Sequence, residues 1–408
     1  MTLSTTHTPH YIATPNGRFL FFGLLYFVQG TMLAYVLVFN NLYLRLFGAS
    51  AAQLALLNGL LAVPFILKIG IGLLSDKTAL HLPLLGHGHR TPYMRLGLLG
   101  IFLGGSGAAF VHPVAQYPLF LTLALFIAFG LAFYDTVADG LAIDVTPRAQ
   151  HSQVQGAMLV GRALGFVLMA GIYGRLIVAI GWQVVFASVA LFALLPLPFL
   201  KGVSAVAYRA PGQQFAWAAL RTLWRPDIGL FTLYAIVYSL VVYGANAIIT
   251  LFTNEALGGT LVQVGDIAAL GGLGMAAGGL MGLTLGRRLT IWKLGGITAI
   301  AVSAALLLIA LVADLQNMPL MTFIWGGALA TAELVFLTLS MNKTDPRIGA
   351  GQFAIFMAIS NVGTGLGQSI TTGLIDTLDF AWIFGGMAVI NLLAIPLLRA
   401  MRRANAQQ

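Results

Sequence analysis

The chain of 408 residues contains no cysteine, and only 8% of its residues are Asp, Glu, Lys or Arg. The missing cysteine excludes disulfides, thiol catalysis and cysteine-ligated zinc. A soluble chain of this length needs far more polar surface, whereas 59% of these residues are hydrophobic. The composition therefore predicts an integral membrane protein that is embedded in the lipid bilayer.

The motifs of enzymes and of nucleotide-driven pumps are also missing. The sequence has no GxxxxGK[ST] loop, no polar stretch long enough for a nucleotide domain, and no hydrolase-like grouping of Ser, His and Asp. His81, His87 and His89 lie in a loop without supporting carboxylates or cysteines, so we expect no metal site. We predict a protein that is not an enzyme, has no cofactor, and would draw on an ion gradient for uphill work.

The net charge of +9 is high enough to suggest a nucleic acid partner. In a membrane protein, however, Lys and Arg collect in cytoplasmic loops, which explains the excess without nucleic acid. Most of the 21 lysines and arginines fall on one side of the apolar segments when the N-terminus is taken as cytoplasmic. We therefore predict a multi-pass, monomeric protein of the plasma membrane (the bacterial inner membrane), with both termini in the cytoplasm.

Twelve apolar segments approach or exceed the roughly 20 residues that an α-helix needs to cross the hydrocarbon core. The predicted spans are 18–39, 52–75, 94–111, 118–144, 152–180, 182–200, 227–252, 263–285, 291–313, 318–341, 349–375 and 380–400. The fold class predicted from them is an all-α membrane protein.

The longest polar connector lies halfway along the chain and divides the spans into six plus six. The predicted domains are a cytoplasmic tail 1–17, a six-helix bundle 18–200, a cytoplasmic loop 201–226, a second six-helix bundle 227–400 and a tail 401–408. The first seventeen residues carry no Lys or Arg, so they are expected to be a tail and not a signal peptide. Within the loop, "FAWAALRTLWR" (215–225) predicts a short helix at the membrane interface.

A weak internal repeat supports this division. "TPRAQHSQ" (146–153) and "DPRIGAGQ" (345–352) share Pro, Arg and Gln, and each joins the fourth predicted span of its half to the fifth. Related halves with a binding site between them are the usual plan of secondary transporters.

Five ionisable residues lie inside the predicted spans, where a charge costs about 2.5–3.5 kcal/mol and usually has a function. They are Lys68, Asp135, Asp139, Arg162 and Glu333. Counted at ~1.5 Å per residue from the cytoplasmic ends, Lys68, Asp135, Arg162 and Glu333 lie ~12–16 Å deep, near the middle of the ~30 Å core. The sequence thus predicts a charged layer shared by four helices.

Two alternatives stay open for this layer. The residues could line a binding cavity and carry a coupling proton, with Asp135 and Asp139 on one helix face because they are four residues apart. Alternatively, Lys68–Asp135 or Arg162–Asp139 could be a fixed ion pair that only holds helices together. Two further polar residues at comparable depth, Gln29 and Asn361, could line the cavity or link helices.

Glycine spacing predicts where helices approach closely. Gly161 and Gly165 lie four residues apart in the fifth predicted span. In the eighth span, Gly274, Gly278 and Gly282 recur at the same interval. Small residues at this spacing let helix backbones come together in membranes.

Several segments resemble the major facilitator superfamily. "GLLSDK" (72–77) followed by "HRTPY" (89–93) resembles the superfamily signature between the second and third helices, lengthened by an insertion. The spacing Asp135-x3-Asp139-x4-Asp144, together with "NKTDPRIGAGQFA" (342–354), resembles the branch of anhydromuropeptide permeases and acetyl-CoA transporters. "YFVQG" (26–30) and "GLLSD" are similar to folate–biopterin transporters of the same branch.

This resemblance implies twelve helices in two pseudo-symmetric six-helix bundles, a central cavity, and alternating access by rocking. It also implies a cytoplasmic gate at Asp76, Asp144 and Arg148. It does not name a substrate, because members of the superfamily carry very different solutes.

From these observations we predict a secondary active transporter of a small anionic or zwitterionic organic solute, coupled to H+. Lys68 and Arg162 would attract the anionic group, and Asp135, Asp139 or Glu333 would carry the proton. The alternative is a relative that does not transport, such as an assembly or pigment-delivery factor on the same fold. Such a factor would not need five ionisable groups inside its helices.

Overall fold

The computed structural model describes residues 10–83, 85–147, 150–201, 203, 226–344 and 349–406. Most of these residues are helical. The α-helices are α1 (His10–Ala13), α2 (Pro15–Ala34), α3 (Asn40–Leu46), α4 (Ala51–Ile66), α5 (Lys68–Lys77), α6 (Thr91–Ala108), α7 (Tyr117–Val145), α8 (His151–Ile180), α9 (Gln183–Leu194), α10 (Pro226–Leu251), α11 (Leu261–Gly286), α12 (Ile291–Val312), α13 (Met318–Lys343), α14 (Gly349–Leu374), α15 (Phe380–Asn391) and α16 (Ala394–Ala406).

Within the described residues, eleven helical segments are long and apolar enough to cross a membrane. A twelfth helix, α6, has 18 residues but is less apolar, since it carries Arg95 and several glycines. It nevertheless packs along both α7 and α9. These segments correspond to the twelve predicted spans, and the predicted all-α membrane fold is confirmed.

Local sequence explains where several helices begin. Thr14 precedes α2 and its side chain accepts a hydrogen bond from the Gly17 backbone, while Pro15 fits the first helical position. Thr260 and Gln263 cap the start of α11 reciprocally. These caps satisfy backbone donors that have no partner within the helix.

The first and second spans are each interrupted. A π-helical turn (Tyr35–Phe39) joins α2 to α3, so the first span continues to Leu46 instead of ending at residue 39 as predicted. Pro64 lies inside α4, which ends at Ile66 before α5 begins at Lys68. The interruption is confined to Leu67, three residues after Pro64, where φ is −77° and ψ is 0°.

A small β-hairpin, which the sequence analysis did not predict, lies between α5 and α6. Strand β1 (Leu80–Leu82) pairs antiparallel with β2 (Gly86–Gly88). Gly86 and Gly88 have φ values of 89° and 134°, which side chains rarely tolerate, so glycine is needed at both positions.

The glycine pattern of the eighth span brings two helices together as predicted. A Cβ atom built on Gly274 of α11 would lie 2.1 Å from the carbonyl oxygen of Phe323 of α13. One built on Gly278 would lie 2.3 Å from the carbonyl oxygen of Gly327. The two backbones therefore touch along this line of contact.

The described chain forms two compact units. The first comprises residues up to Val36, Leu67–Met169 and residues 179–203. The second comprises Leu37–Ile66, Ala170–Val178 and the described residues from 226 onward, so α3, α4 and a short part of α8 pack with the C-terminal helices.

The predicted domain boundaries stay a prediction. Most of the connector 201–226, including the predicted interfacial helix 215–225, lies outside the described residues.

Candidate functional site

Asp135 is the centre of an ionic cluster within the first unit. It lies on α7 and is 5% exposed. Its Oδ2 accepts a hydrogen bond from the Nζ of Lys68, and its Oδ1 accepts one from the Nε2 of Gln29. One buried carboxylate thus contacts residues from two other helices, α5 and α2.

Arg162 of α8 adds a second cation to the same carboxylate. Its Nη2 lies 3.4 Å from the Oδ1 of Asp135, and its Nε donates to the Oε1 of Gln29 at 2.8 Å. The amide of Gln29 therefore bridges Arg162 and Asp135, donating to the carboxylate and accepting from the guanidinium. Four helices contribute to this cluster.

Asp139 lies one helical turn after Asp135 and has a different kind of partner. Its Oδ1 accepts a hydrogen bond from the hydroxyl of Tyr26 on α2. The guanidinium carbon of Arg162 lies 4.8 Å from the centre of the Tyr26 ring, a cation–π distance. Tyr26 thus links Asp139 to the rest of the cluster. It was not among the predicted site residues, although it is the first residue of the "YFVQG" motif.

Backbone packing explains how these side chains reach one another. A Cβ atom on Gly161 of α8 would lie 2.1 Å from the carbonyl oxygen of Gly23, and one on Gly30 would lie 2.1 Å from that of Arg162. The backbones of α2 and α8 are therefore in contact, which confirms the close approach predicted from Gly161 and Gly165. The hydroxyl of Tyr134 donates to the Leu25 carbonyl at 2.9 Å and fixes α7 against α2.

Lys68 begins α5, directly after the one-residue interruption at Leu67 in the second span. Its side chain reaches α7 at Asp135.

Exposure differs sharply within the cluster. The side chain of Asp135 is 7% exposed, whereas those of Lys68 and Arg162 are 28% and 39% exposed. The two cations therefore share a buried anion on one side and remain accessible on the other. Chemically, such an arrangement can accept a second anion from the accessible side.

The remaining two predicted site residues belong to the second unit. The Nδ2 of Asn361 on α14 donates to the Phe65 carbonyl of α4 at 2.9 Å. Glu333 on α13 is half-buried and lies near the buried hydroxyl of Tyr238. Five of the seven predicted residues thus gather in the cluster of the first unit, and these two lie in the other.

The predicted gate residues Asp76 and Asp144 are both paired with Arg90. The Nη2 of Arg90 lies 2.8 Å from the Oδ1 of Asp76, and its Nε donates to the Oδ2 of Asp144 at 2.6 Å. Its Nη1 donates to the Ser75 hydroxyl at 2.9 Å. Arg90 is 2% exposed, and its two ion pairs connect the C-terminal ends of α5 and α7.

Arg90 was not among the predicted gate residues, although it belongs to the "HRTPY" motif. A Cβ atom on Gly140 would lie 2.8 Å from the guanidinium carbon of Arg90, so this glycine leaves room for the side chain. The third predicted gate residue, Arg148, lies outside the described residues.

A further ionic cluster belongs to the second unit. Arg45 of α3 pairs with Glu255 at 2.8 Å and with Asp376 at 2.6 Å. The other carboxylate oxygen of Asp376 accepts a hydrogen bond from the backbone N–H of Ala51 at 2.8 Å. The hydrogen bond from Ala51 and the Arg45 guanidinium hold the pKa of Asp376 below its usual value.

Comparison with known proteins gives consistent results. The family model of the Major Facilitator Superfamily matches residues 20–352. A folate-biopterin transporter from Synechocystis sp. is 27% identical over 375 residues, which covers 85% of this chain and 72% of the relative.

Solved transporter structures share the fold. The nucleoside transporter NupG superposes with a TM-score of 0.74 at 13% identity, covering 94% of this chain and 98% of its own. A D-xylose-proton symporter superposes with a TM-score of 0.70 at 14% identity, covering 93% of this chain and 96% of the symporter. An inward-facing bacterial homologue of the human lysosomal transporter Spinster superposes with a TM-score of 0.67 at 17% identity. The match covers 97% of this chain and 96% of the homologue.

The succession of apolar helices is that of a multi-pass membrane protein, and the family match makes it a transporter of small solutes. The chain belongs to the Major Facilitator Superfamily, since the family model spans most of its length. The named relatives are transporters, which favours the first of the two functions predicted from the sequence.

Proposed function

We propose that the protein is a proton-coupled secondary transporter of a small organic anion, which works by alternating access. The observation that carries this proposal is the cluster in which Lys68 and Arg162 share the buried carboxylate of Asp135 and remain partly exposed themselves. Two partly exposed cations that share one buried carboxylate are suited to bind a carboxylate or a similar group on a solute.

The charge count of the cluster supports coupling to a proton. Lys68 and Arg162 supply two positive charges, and Asp135 and Asp139 supply two negative charges when both are ionised. One solute carboxylate bound between these two cations adds one negative charge to the cluster. Because unbalanced charge is costly away from water, one proton taken up by a carboxyl group restores the balance.

Asp139 is the carboxyl group that we propose for this proton. Protonation of Asp135 would weaken its ion pairs with both Lys68 and Arg162. Among the described contacts, Asp139 instead accepts a hydrogen bond from the neutral hydroxyl of Tyr26. A proton on Asp139 therefore breaks neither of the two ion pairs described for Asp135.

The proposed substrate class is an anionic pterin. The folate-biopterin transporter is a named relative over most of this chain. Folates join a pterin ring to glutamate carboxylates, whereas biopterin carries no carboxylate. Two cations at the site favour the anionic compound, so folate is expected to bind more tightly than biopterin. The binding role predicted for Glu333 and Asn361, which belong to the second unit, stays a prediction.

The predicted membrane placement completes the proposal. We propose a location in a bacterial plasma membrane with both termini in the cytoplasm, because of the distribution of Lys and Arg. The Arg90 cluster with Asp76 and Asp144 then lies at the cytoplasmic side, where opening its ion pairs would let α5 and α7 separate.

Uptake into proteoliposomes tests this function. The purified full chain is reconstituted, an inward proton gradient is imposed, and accumulation of labelled folate and labelled biopterin is measured. We expect folate to accumulate above its external concentration, and a protonophore to abolish the accumulation. Equal folate uptake with and without the gradient would contradict proton coupling.

Matched variants separate the roles of the residues. Lys68→Gln and Arg162→Gln should each lower folate uptake at least about tenfold, since a charge-assisted hydrogen bond is lost. Asp139→Asn should lose gradient-driven accumulation but keep exchange of labelled for unlabelled folate. The controls are Arg288→Gln and Asp314→Asn, which change exposed residues outside the cluster and should transport normally. Full uptake by Lys68→Gln would rule out the proposed anion site.

A further inference from the structure

The first unit also has a cavity whose lining residues do not belong to the ionic cluster. A cavity of about 360 Å³ opens between α6, α9 and the β-hairpin. Its lining combines two basic residues, Arg95 and Lys201, with apolar residues that include Leu99, Phe102 and Leu194. None of the described residues that line it is acidic. The site thus has a cationic end and an apolar wall.

We propose that this cavity binds an anionic phospholipid of the surrounding bilayer. Its phosphate would lie at Arg95 and Lys201, and one acyl chain would lie along the apolar wall of α6 and α9. Basic pockets between transmembrane helices have the chemistry that recognises anionic headgroups. The lipid would bind whichever solute the protein carries.

The guanidinium of Arg95 is held in place without losing its charge. Its Nη1 donates to the Leu85 carbonyl at 2.9 Å, and its Nη2 donates to the Leu200 carbonyl at 3.2 Å. Neutral carbonyl acceptors orient a guanidinium but do not cancel its positive charge, as a carboxylate would. No acidic residue among the described residues lines the cavity, so a bound phosphate would supply the negative charge.

The hairpin contributes to this orientation. Gly86 of β2 has a φ of 89°, and a Cβ atom built on it would lie 2.8 Å from the Nη1 of Arg95. Glycine at this position therefore gives the guanidinium room against the hairpin. Lys201 is exposed and follows the short 3₁₀ turn Leu197–Leu200, so its flexible ammonium can meet the same anion.

The apolar wall continues beyond the cavity along both helices. Leu99 and Leu103 of α6 are 42% and 50% exposed, and Leu191 and Leu194 of α9 are 66% and 39% exposed. In a helix, residues three or four apart lie on the same face. Exposed leucines in these positions form a path for an acyl chain that begins at the basic residues. A free phosphate ion could use the cationic end but would leave this wall uncovered.

Native mass spectrometry of the full chain, released from detergent micelles, tests the proposal. The protein is mixed with phosphatidylglycerol or with phosphatidylcholine of the same chains, and the fraction that retains lipid is compared. We expect phosphatidylglycerol to be retained at least about tenfold more, given roughly fivefold for each basic residue that meets an anionic headgroup. Equal retention of the two lipids would overturn the proposal. Inorganic phosphate should not displace the lipid at equal concentration, and if it does, the site binds the phosphate group alone.

Two variants locate the binding. Lys201→Gln changes an exposed residue that should not affect folding, and it should lower phosphatidylglycerol retention several-fold. The double variant Arg95→Gln with Lys201→Gln should abolish the preference for phosphatidylglycerol. The control, Arg287→Gln with Arg288→Gln, removes two exposed charges that do not line the cavity and should retain lipid normally. An unchanged preference in Lys201→Gln and in the double variant would refute the site. Thermal unfolding without lipid checks that each variant is folded.

Discussion

At the scale of the residue, Asp135 shows how a buried carboxylate is tolerated inside apolar helices. It contacts Lys68, Arg162 and Gln29 at once, so its charge is compensated and its oxygens are hydrogen-bonded. The ion pairs and the hydrogen bond together offset the free energy of desolvating the buried carboxylate. The same arrangement leaves the cations accessible, which is the property the proposed function uses.

The coupling of Lys68 and Asp135 can be measured by a double-mutant cycle. Asp135→Asn alone should destabilise the protein by about 2–4 kcal/mol, because it leaves two cations against a neutral amide. Lys68→Gln together with Asp135→Asn should cost less than the sum of the two single changes by about 1–3 kcal/mol. The measurement is the free energy of unfolding in detergent. Strictly additive effects would show that these two side chains do not interact.

Asp376 gives a prediction about pH. Its folded-state pKa lies below the usual carboxyl value, so its contacts with Ala51 and Arg45 stabilise the protein above about pH 4. This contribution is lost as the pH falls below that value and through the lower folded-state pKa. The difference in thermal stability between wild type and Asp376→Asn should therefore be largest near pH 7 and shrink toward pH 3. A difference that stays constant or grows on acidification would contradict this account.

At the scale of the element, glycines decide which helices touch. In α8, Gly161 meets the backbone of Gly23, whereas nothing lies within 4 Å of a Cβ atom built on Gly156 of the same helix. These two positions have the same residue type and the same secondary structure. They therefore separate the effect of close packing from the general effect of glycine on helix stability.

Alanine substitutions test this contrast. Gly161→Ala places a methyl group against a backbone carbonyl and should destabilise the protein by about 1–3 kcal/mol. It should also lower transport, since α8 carries Arg162 and α2 carries Gln29. Gly156→Ala should be neutral or stabilising by up to about 1 kcal/mol, because alanine favours helix more than glycine does. Equal thermal unfolding midpoints for the two variants would mean that the α2–α8 contact contributes nothing.

The elements also show how much the sequence could predict. Long apolar runs located α7 and α12 to within a residue or two, because hydropathy and length determine a membrane span. The π-helical turn at Tyr35–Phe39 and the hairpin β1–β2 were missed, since both depend on local geometry that leaves no periodic signal. The first span therefore ended too early in the prediction.

The members of the ionic cluster could be predicted from the sequence where an ionisable residue interrupts an apolar span. Lys68, Asp135, Asp139 and Arg162 were conspicuous because ionisable residues are rare in apolar spans. Their mutual distances were not predictable, because they depend on glycine contacts between helices. Tyr26 and Arg90 were missed as site residues for the opposite reason. An aromatic residue in a span and an arginine in a basic loop are both ordinary.

At the scale of the whole molecule, the chain is a multi-pass transporter of the Major Facilitator Superfamily, and its orientation is the prediction to test. Because the protein has no cysteine, a single introduced cysteine can be labelled without a background from native cysteines. Gln316→Cys, in the exposed turn between α12 and α13, should react with a membrane-impermeant maleimide in intact cells. Arg288→Cys, in the exposed turn between α11 and α12, should react only after the cells are broken. The reverse pattern would invert the proposed topology.

The central claim is that the cluster around Asp135 binds an anion and takes up a proton with it. Titration calorimetry of folate binding to the purified protein, in two buffers of different ionisation enthalpy, measures both quantities at once. The account predicts that wild type binds folate with net uptake of one proton, and that Lys68→Gln weakens binding at least about tenfold. Tight binding of folate with no proton uptake, unchanged in Lys68→Gln, would contradict it.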